Sequence, residues 1–185
     1  CLPFFYACGT RERAGKTTMT QEIKTERLRL RRPQISDAGT ITDYVNDPRI
    51  YEKVARIAPG QTVKVTTGWL ASVERARAKD LHHVFVIERE GELIGIVGAH
   101  RDAADAPFEI GYWLAQGIAT EAAGALIDWL EEARAAGHFT SGHFADNPAS
   151  GRILEKLGFR RTHNAPVFCL GRGHDVDHVF MVRGP

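Results

Sequence analysis

The order of strand-like and helix-like runs in the middle of the chain constrains its fold more than any other feature. Two apolar runs, residues 84–87 and 93–97, flank Glu90-Gly91 and predict a β-hairpin. A third strand, FEIGYWL, is predicted at residues 108–114, and a helix follows at about residues 117–136. Paired strands that lead into a crossover helix are typical of a domain built on one sheet.

The second half of the chain continues this alternation. A strand is predicted at residues 139–144 and a helix at 148–157, with Asn147 at its N-cap and Gly158 after it. Gly137 is the expected stop of the preceding helix. Two closing strands complete the pattern, at residues 167–170 and 178–182.

Three further elements precede the hairpin. Alternating Ile, Leu and charged residues predict a strand at residues 23–32, Ser36 is the expected cap of a helix through Val45, and a second helix is predicted at residues 61–78. The fold class is therefore α/β or α+β, a single domain with a mixed central sheet and flanking helices.

The length of 185 residues favours one domain. The patterned sequence begins just after Met19, so we expect residues 19–185 to form the domain and residues 1–18 to be an N-terminal extension.

The composition excludes several classes of partner. Basic and acidic residues number 24 and 23, and their balance gives no case for nucleic acid binding. No window approaches the roughly 18 apolar residues of a membrane span. The cysteines, Cys1, Cys8 and Cys169, lack metal-ligand spacing. We expect a cytoplasmic protein without a metal site.

A phosphate-binding P-loop is an alternative raised by Gly9 and Gly15-Lys16-Thr17. Five residues separate Gly9 from Gly15, whereas the backbone of a P-loop needs four to wrap a phosphate. The spacing therefore argues against a nucleotide hydrolase.

Two helix starts contain residues suited to ligand binding. QGIATEAAG places Gly117 and Ala119 in a first turn, where unpaired backbone N–H groups can bind a phosphate. ADNPASGRILEKLGFRR places Asn147 at a cap and Ser150 three residues later. Each has a structural alternative, since the first also fits an ordinary core helix and the second a simple N-cap.

Together, IGYWLA, GIATEA and DNPASGRILEKLGFRR resemble the GNAT superfamily of N-acetyltransferases, particularly the bacterial Rim-type branch that acetylates ribosomal-protein N-termini. The resemblance implies a GNAT-like domain with a splayed strand pair, and acetyl-CoA as co-substrate. It implies acetyl-CoA contacts from the third strand and the following helix start, at Trp113, Leu114, Gln116, Gly117, Ile118, Ala119 and Thr120. Asn147 would hydrogen-bond the pantetheine arm, and Ser150 would face the sulfur.

The sequence departs from the family pattern at two positions. Leu114 stands where relatives have a basic residue or Gln, and only Ala115 and Gln116 separate the strand from Gly117, roughly half a dozen residues fewer than in related chains. Either the loop is truly shorter or a segment of the natural chain is absent after Ala115, and we expect the second. Leu154 occupies the position of the tyrosine that many relatives use as an acid.

Glu109 is the predicted general base. An α-amine, with a pKa near 7.7 to 8.0, costs under about 1 kcal/mol to deprotonate at neutral pH, whereas a lysine costs roughly 4 to 5 kcal/mol. Glu109 lies on the third strand at the position of a catalytic carboxylate in several relatives, and could equally be a surface carboxylate paired with a basic neighbour. His100 is a weaker substitute. Ser150 is the predicted donor to the departing thiolate.

The expected function is transfer of an acetyl group from acetyl-CoA to a primary amine, foremost the α-amine of a protein N-terminus. Two alternatives stay open: acetylation of a small-molecule amine or antibiotic, and a noncatalytic acyl-CoA-binding domain. The expected partners are acetyl-CoA and the amine acceptor, with a homodimer left open.

Overall fold

The computed structural model describes residues 22–114 and 117–184, and at Leu114 it describes the backbone alone. The predicted extension at residues 1–18 therefore lies outside the described residues. So does the point between Ala115 and Gln116 at which a segment was expected to be absent.

The described residues form one eight-stranded mixed sheet with helices on both faces. The strands are β1 Glu22–Lys24, β2 Arg29–Arg31, β3 His82–Arg89, β4 Glu92–His100, β5 Phe108–Leu114, β6 Phe139–Phe144, β7 Arg160–Cys169 and β8 His174–Arg183. The helices are α1 Ala38–Val45, α2 Pro48–Tyr51, α3 Val63–Ala78, α4 Ala119–Arg134 and α5 Pro148–Lys156, and a short 3-10 turn at Ile35–Asp37 precedes α1. The α/β class with a mixed sheet is confirmed.

The strands lie in the order β1-β2-β3-β4-β5-β6-β8-β7, and the one parallel pair among them is β5 with β6. Helix α4 supplies the crossover that a parallel pair requires. The pairing is short, with Phe108 opposite Phe139 and Glu109 opposite Thr140. Beyond these residues the two strands diverge, whereas β5 stays paired with β4 through Leu114. The predicted splayed pair is present.

The two faces of the sheet have separate apolar cores. Helix α4 buries Leu126, Ile127 and Leu130 against one face. On the other face, Ile41 of α1 and Leu70 of α3 pack with apolar side chains of β3 and β4. These cores hold the diverging ends of β5 and β6 between two rigid layers.

The hairpin between β3 and β4 forms as predicted. Glu90 has φ +54° and Gly91 has φ +86°, a left-handed pair that suits a tight turn between twisted strands. The cap at Asn147 and the left-handed Gly158 after α5 are also confirmed.

The predicted strand at residues 23–32 is wrong as a single element, because a turn divides it into β1 and β2. The Thr25 amide donates to the Leu28 carbonyl at 3.0 Å, and the Leu28 amide donates to Thr25 Oγ1 at 3.0 Å. The threonine hydroxyl thus satisfies the backbone of a tight turn that apolar alternation alone cannot indicate.

Three other boundaries differ from prediction. Ser36 lies within the 3-10 turn, and Asp37 is the residue before α1. Helix α4 ends at Arg134, and its left-handed C-cap is Ala135, two residues before the expected stop at Gly137. The two closing strands are longer than predicted, since β7 and β8 contain ten residues each and pair along nearly their whole length.

Among the described residues, no helix combines the length and the apolar character needed to cross a bilayer.

Candidate acyl-transfer site

The divergence of β5 from β6 opens a cleft of about 1280 Å³ between the two layers. Glu109, Gly111 and Trp113 face it from alternate positions of β5. The starts of α4 and α5 contribute to its lining, together with α2, the segment after it, and α3. A ligand could therefore extend along the exposed edge of β5.

A hydrogen bond marks the point at which the strands part. Ser141 Oγ donates to the Ile110 carbonyl at 2.8 Å, so a side chain replaces the next backbone hydrogen bond between β5 and β6. Beyond Ile110, the β6 side of the strand offers backbone donors and acceptors to the cleft. An extended amide-containing ligand can pair with such an edge.

The start of α4 is suited to an anionic ligand. No side chain caps it among the described residues, and Gly117 has φ +90°, a conformation that favours glycine. The one acidic residue of the first turn, Glu121, is held away by Thr25 and Arg27. The unpaired N–H groups of this turn are thus available to a phosphate. Ile118 is buried, while Ala119 and Thr120 line the cleft.

Asn147 and Ser150 face the cleft from the start of α5. The Asn147 side-chain oxygen accepts a hydrogen bond from the Ser150 amide at 3.4 Å, so the expected structural role as an N-cap is real. The Asn147 side-chain NH2 group has no protein partner among the described residues. It can therefore donate to a ligand while the oxygen caps the helix.

Ser150 has a partner that the sequence analysis missed. The Tyr112 hydroxyl lies 3.0 Å from Ser150 Oγ and belongs to β5, on the face opposite Glu109. Burial raises the pKa of Tyr112, so the phenol stays protonated at neutral pH. Alternation along FEIGYWL could have placed Tyr112 toward the α5 side, but not its contact with Ser150.

Glu109 lies at the parting point of the strands and forms an ion pair with Arg56. The distance from Arg56 Nη2 to Glu109 Oε2 is 3.0 Å, and the side chains are 77% and 52% exposed. The alternative expected for Glu109 is a surface carboxylate paired with a basic neighbour, and this ion pair is present. The exposure also leaves Glu109 accessible to a ligand.

Two histidines of the cleft lie beside Glu109 on neighbouring strands. His100 pairs with Glu109 across β4 and β5, and His82 pairs with His100 across β3 and β4. Burial lowers the pKa of His100 to about 4, with smaller contributions from His82 and then Arg56, and burial also lowers the pKa of His82. Both imidazoles are therefore neutral at pH 7.

The floor of the cleft has space for a reacting group at Gly111. A Cβ added to Gly111 would have no atom within 4 Å, whereas a Cβ on the paired Gly98 would lie 2.8 Å from His100 Nε2. The open volume is therefore next to Glu109 and not over the neighbouring strand.

The remaining predicted residues have mixed outcomes. Trp113 lines the cleft and packs against Tyr44, with ring centroids 5.7 Å apart. Gln116 and the side chain of Leu114 lie outside the described residues. Leu154 is fully buried in the core, which leaves this position without a polar group. Within the described residues, no cluster of His, Cys, Asp or Glu could hold a metal ion.

Comparisons with known proteins agree with this geometry. A sequence model of the acetyltransferase (GNAT) domain family matches residues 27–160. A search of curated protein sequences gives no significant match.

Solved structures with the same fold are numerous. The ribosomal-protein-S5-alanine acetyltransferase from Vibrio fischeri superposes with a TM-score of 0.76 at 21% identity, covering 88% of this chain and 96% of that one. RimJ from Mycobacterium smegmatis, in complex with a CoA disulfide, gives 0.72 at 22% identity, covering 85% and 81%. The microcin C7 self-immunity acetyltransferase MccE, in complex with acetyl-CoA and AMP, gives 0.74 at 19% identity, covering 87% and 94%.

Proposed function

Since the chain belongs to the GNAT acetyltransferase family, and is thus an acetyl-CoA-dependent N-acetyltransferase, we propose that its acceptor is the α-amine at the N-terminus of a protein. We place it in the Rim-type branch, whose members among the similar structures are ribosomal-protein acetyltransferases. The observation that supports this most is the exposed carboxylate of Glu109 beside an open strand edge.

Acetyl-CoA fits the cleft in one direction. Its pyrophosphate would bind the uncapped start of α4, at Gly117, Ile118, Ala119 and Thr120, with Gln116 next to it. Its pantetheine amides would pair with the open edge of β5 at Trp113 and Leu114 and with the Asn147 side-chain NH2 group. This places the thioester between Ser150 and Glu109.

Glu109 is the proposed base. It accepts a proton from the acceptor ammonium, directly or through a water, and the neutral amine nitrogen then attacks the thioester carbonyl. The nitrogen loses its second proton to solvent before the amide product forms. An α-amine needs only modest assistance, because its pKa of about 8 lies close to neutral pH. An exposed carboxylate is therefore a sufficient base for an α-amine. It is less suited to a lysine side chain, whose deprotonation costs several kcal/mol more.

Ser150 is the proposed donor to the leaving group. When the tetrahedral intermediate collapses, the C–S bond breaks and its electron pair goes to the CoA sulfur. A hydrogen bond from Ser150 steadies this thiolate until solvent protonates it, which is undemanding for a thiol with a pKa near 8.5. Tyr112, by donating to Ser150 Oγ, would leave the serine proton for the sulfur.

A small-molecule amine is the second candidate acceptor. The turn between β7 and β8 contacts the segment after α2, where the Leu170 amide donates to the Ala55 carbonyl at 2.9 Å. This contact would close one side of the cleft near Arg56, where the acceptor is proposed to bind, and a closed side would suit a compact amine. MccE, a self-immunity acetyltransferase whose structure contains acetyl-CoA and AMP, has the same fold.

We further propose that the enzyme works in the cytoplasm without a nucleic acid or membrane partner. The near balance of 24 basic and 23 acidic residues supports this. Residues 19–185 are proposed as the domain, and a homodimer stays a prediction that light scattering can test.

The test is thiol release from acetyl-CoA in the presence of a panel of peptides with free N-termini, the same peptides with formylated N-termini, and small amines. Turnover with the free peptides alone supports the proposal. Preference for a small amine favours the second candidate. CoA binding without turnover on any amine would make this a noncatalytic acyl-CoA-binding domain.

A further inference from the structure

We infer that the acceptor has a carboxylate close to the amine that is acetylated, and that Arg56 binds this carboxylate. The inference rests on the proposed function and narrows its acceptor to a peptide with Asp or Glu at the first or second position. Three observations support it: the anchored backbone before Arg56, the charge of the cleft lining, and the ion pair that Arg56 forms with the proposed base.

The backbone before Arg56 is held in place by the turn between β7 and β8. The Leu170 amide donates to the Ala55 carbonyl at 2.9 Å, one residue before Arg56. Arg172 Nε donates to the Glu52 carbonyl at 2.7 Å in the same segment. The Arg56 side chain therefore extends over the cleft from an anchored backbone, so less backbone entropy is lost when it binds a ligand.

The cleft lining has an excess of positive charge. Among the described residues that line it, Glu109 is the one carboxylate, against Arg49, Lys53, Arg56, Arg152 and Lys156. Arg152 and Lys156 belong to α5, at the proposed cofactor end. The other three cations lie in or just after α2, at the acceptor end.

Arg56 supplies the positive charge next to Glu109. His82 and His100 share this face of the sheet, and their lowered pKa values keep them neutral at pH 7. Arg49 and Lys53 form ion pairs with Asp47 and Asp146, which lie outside the lining. An incoming carboxylate would therefore meet Arg56 as the guanidinium nearest the reacting amine.

The ion pair between Arg56 and Glu109 can be exchanged for two pairs with the acceptor. Both side chains are more than half exposed, at 77% and 52%, and exposed ion pairs contribute little free energy. An acceptor ammonium would take the place of Arg56 beside Glu109. Its neighbouring carboxylate would take the place of Glu109 beside Arg56, so that each charge keeps a partner.

The distances limit where this carboxylate can be. Arg56 Nη2 is 3.0 Å from Glu109 Oε2, so an anion bound to Arg56 lies close to an amine bound to Glu109. One residue of extended chain spans about 3.5 Å, so an acidic side chain at the first or second position can reach the guanidinium. Later positions lie progressively farther away.

The test compares C-terminally amidated peptides that begin Ala-Asp, Ala-Asn or Ala-Lys and are otherwise identical. For the wild-type enzyme at low ionic strength, we expect kcat/KM to fall by roughly threefold to tenfold from the Asp peptide to the Asn peptide. It should fall further with the Lys peptide. Raising the salt concentration should shrink these ratios.

Variants then assign the preference to Arg56. Arg56→Gln should bring the Asp and Asn peptides to within about twofold of each other, and Arg56→Glu should favour the Lys peptide. Arg75→Gln makes the same charge change at an exposed position of α3 outside the cleft lining, and should leave all ratios as in the wild type.

Two results would overturn the inference while leaving the proposed function intact. One is a wild-type enzyme that acetylates the three peptides equally well. The other is an Arg56→Gln variant whose kcat/KM falls by the same factor with the Asp peptide and the Asn peptide, because Arg56 would then only position Glu109. Absence of transfer to every peptide would instead overturn the proposed function, and the peptide acceptor with it.

Discussion

The Tyr112 hydroxyl lies 3.0 Å from Ser150 Oγ, which joins the open strand of the sheet to the start of α5. Burial raises the pKa of Tyr112, so its proton remains available for donation to Ser150. The serine proton can then point toward the cleft. We propose this pair as the hydrogen-bond donor to the leaving group, because Leu154, at the position of the tyrosine in many relatives, is buried and apolar.

Removal of either hydroxyl should slow turnover through the same step. We expect Ser150→Ala to lower kcat by about tenfold and Tyr112→Phe by about threefold, since a thiolate needs less support than an alkoxide. The double variant should resemble Ser150→Ala, because the tyrosine acts through the serine. Steady-state kinetics measure all three, and strictly multiplicative effects would show that the two residues act separately.

Replacement of the proposed base should have a larger effect that depends on pH. Glu109→Gln should lower kcat/KM with an α-amine acceptor by roughly 10- to 100-fold at pH 6.5, where the amine is protonated. The deficit should shrink toward pH 9, where the free amine is abundant. A deficit that is the same at both pH values would argue against proton removal by Glu109.

Acetyl-CoA affinity should depend on the backbone conformation at Gly117. An L-residue at φ +90° is strained by about 1 to 3 kcal/mol, so Gly117→Ala should weaken acetyl-CoA binding by about fivefold or more. Gly60→Ala is the matched control, because Gly60 also has a positive φ, +74°, a Cβ there meets no atom within 4 Å, and the residue lies outside the cleft lining. Calorimetric titration compares the two, and equal affinities would exclude α4 as the phosphate site.

The open space at Gly111 should matter for the acceptor and not for folding. A Cβ at this position meets no atom within 4 Å, so Gly111→Ala should keep the wild-type melting temperature. It should lower kcat/KM by about fivefold, because it occupies the space next to Glu109. Gly68→Ala, with equally open surroundings on α3, is the control for a general effect of added methyl groups. Wild-type kinetics in Gly111→Ala would place the reaction elsewhere.

Stability should fall in mild acid because of buried His83. Its side chain is fully buried, and burial together with Arg134 and Arg32 lowers its pKa, against an opposing effect of Asp80. Below the ordinary pKa of 6.5, His83 binds a proton in the unfolded chain but stays neutral in the native chain. The free energy of unfolding therefore declines by up to about 1.4 kcal/mol for each pH unit. Above that value the histidine is neutral in both states, and none of this free energy is lost.

The variant His83→Phe tests this account of acid sensitivity. A phenyl ring can keep the edge contacts with Phe108 and Trp129 but cannot titrate. Urea unfolding between pH 7 and pH 5 should show a shallower loss of stability in the variant than in the wild type. Parallel curves would mean that His83 does not cause the decline.

Local signals in the sequence predicted the elements well where the backbone determines them. Asn147, Pro148 and Gly158 mark the start and end of α5, and Glu90-Gly91 marks the hairpin turn. The strand at residues 23–32 failed because its turn depends on a hydroxyl of Thr25, which does not interrupt the alternation of apolar residues.

Contacts in the candidate site could be predicted only where both residues belong to one short segment of the sequence. Asn147 and Ser150 are three residues apart and form one cap, so sequence spacing sufficed. Arg56 and Glu109 are 53 residues apart, and Tyr112 and Ser150 are 38 apart. Such pairs depend on how strands and helices pack, which the pattern of a single chain does not contain.

The most direct test of the central claim is the position of the acetyl group on a peptide that has both a free N-terminus and an internal lysine. The peptide is incubated with the enzyme and acetyl-CoA, and the product is sequenced by tandem mass spectrometry. We predict a single acetyl group on the α-amine. Acetylation of the lysine alone, or of neither amine while CoA binds, would contradict the assignment of this enzyme to protein N-termini.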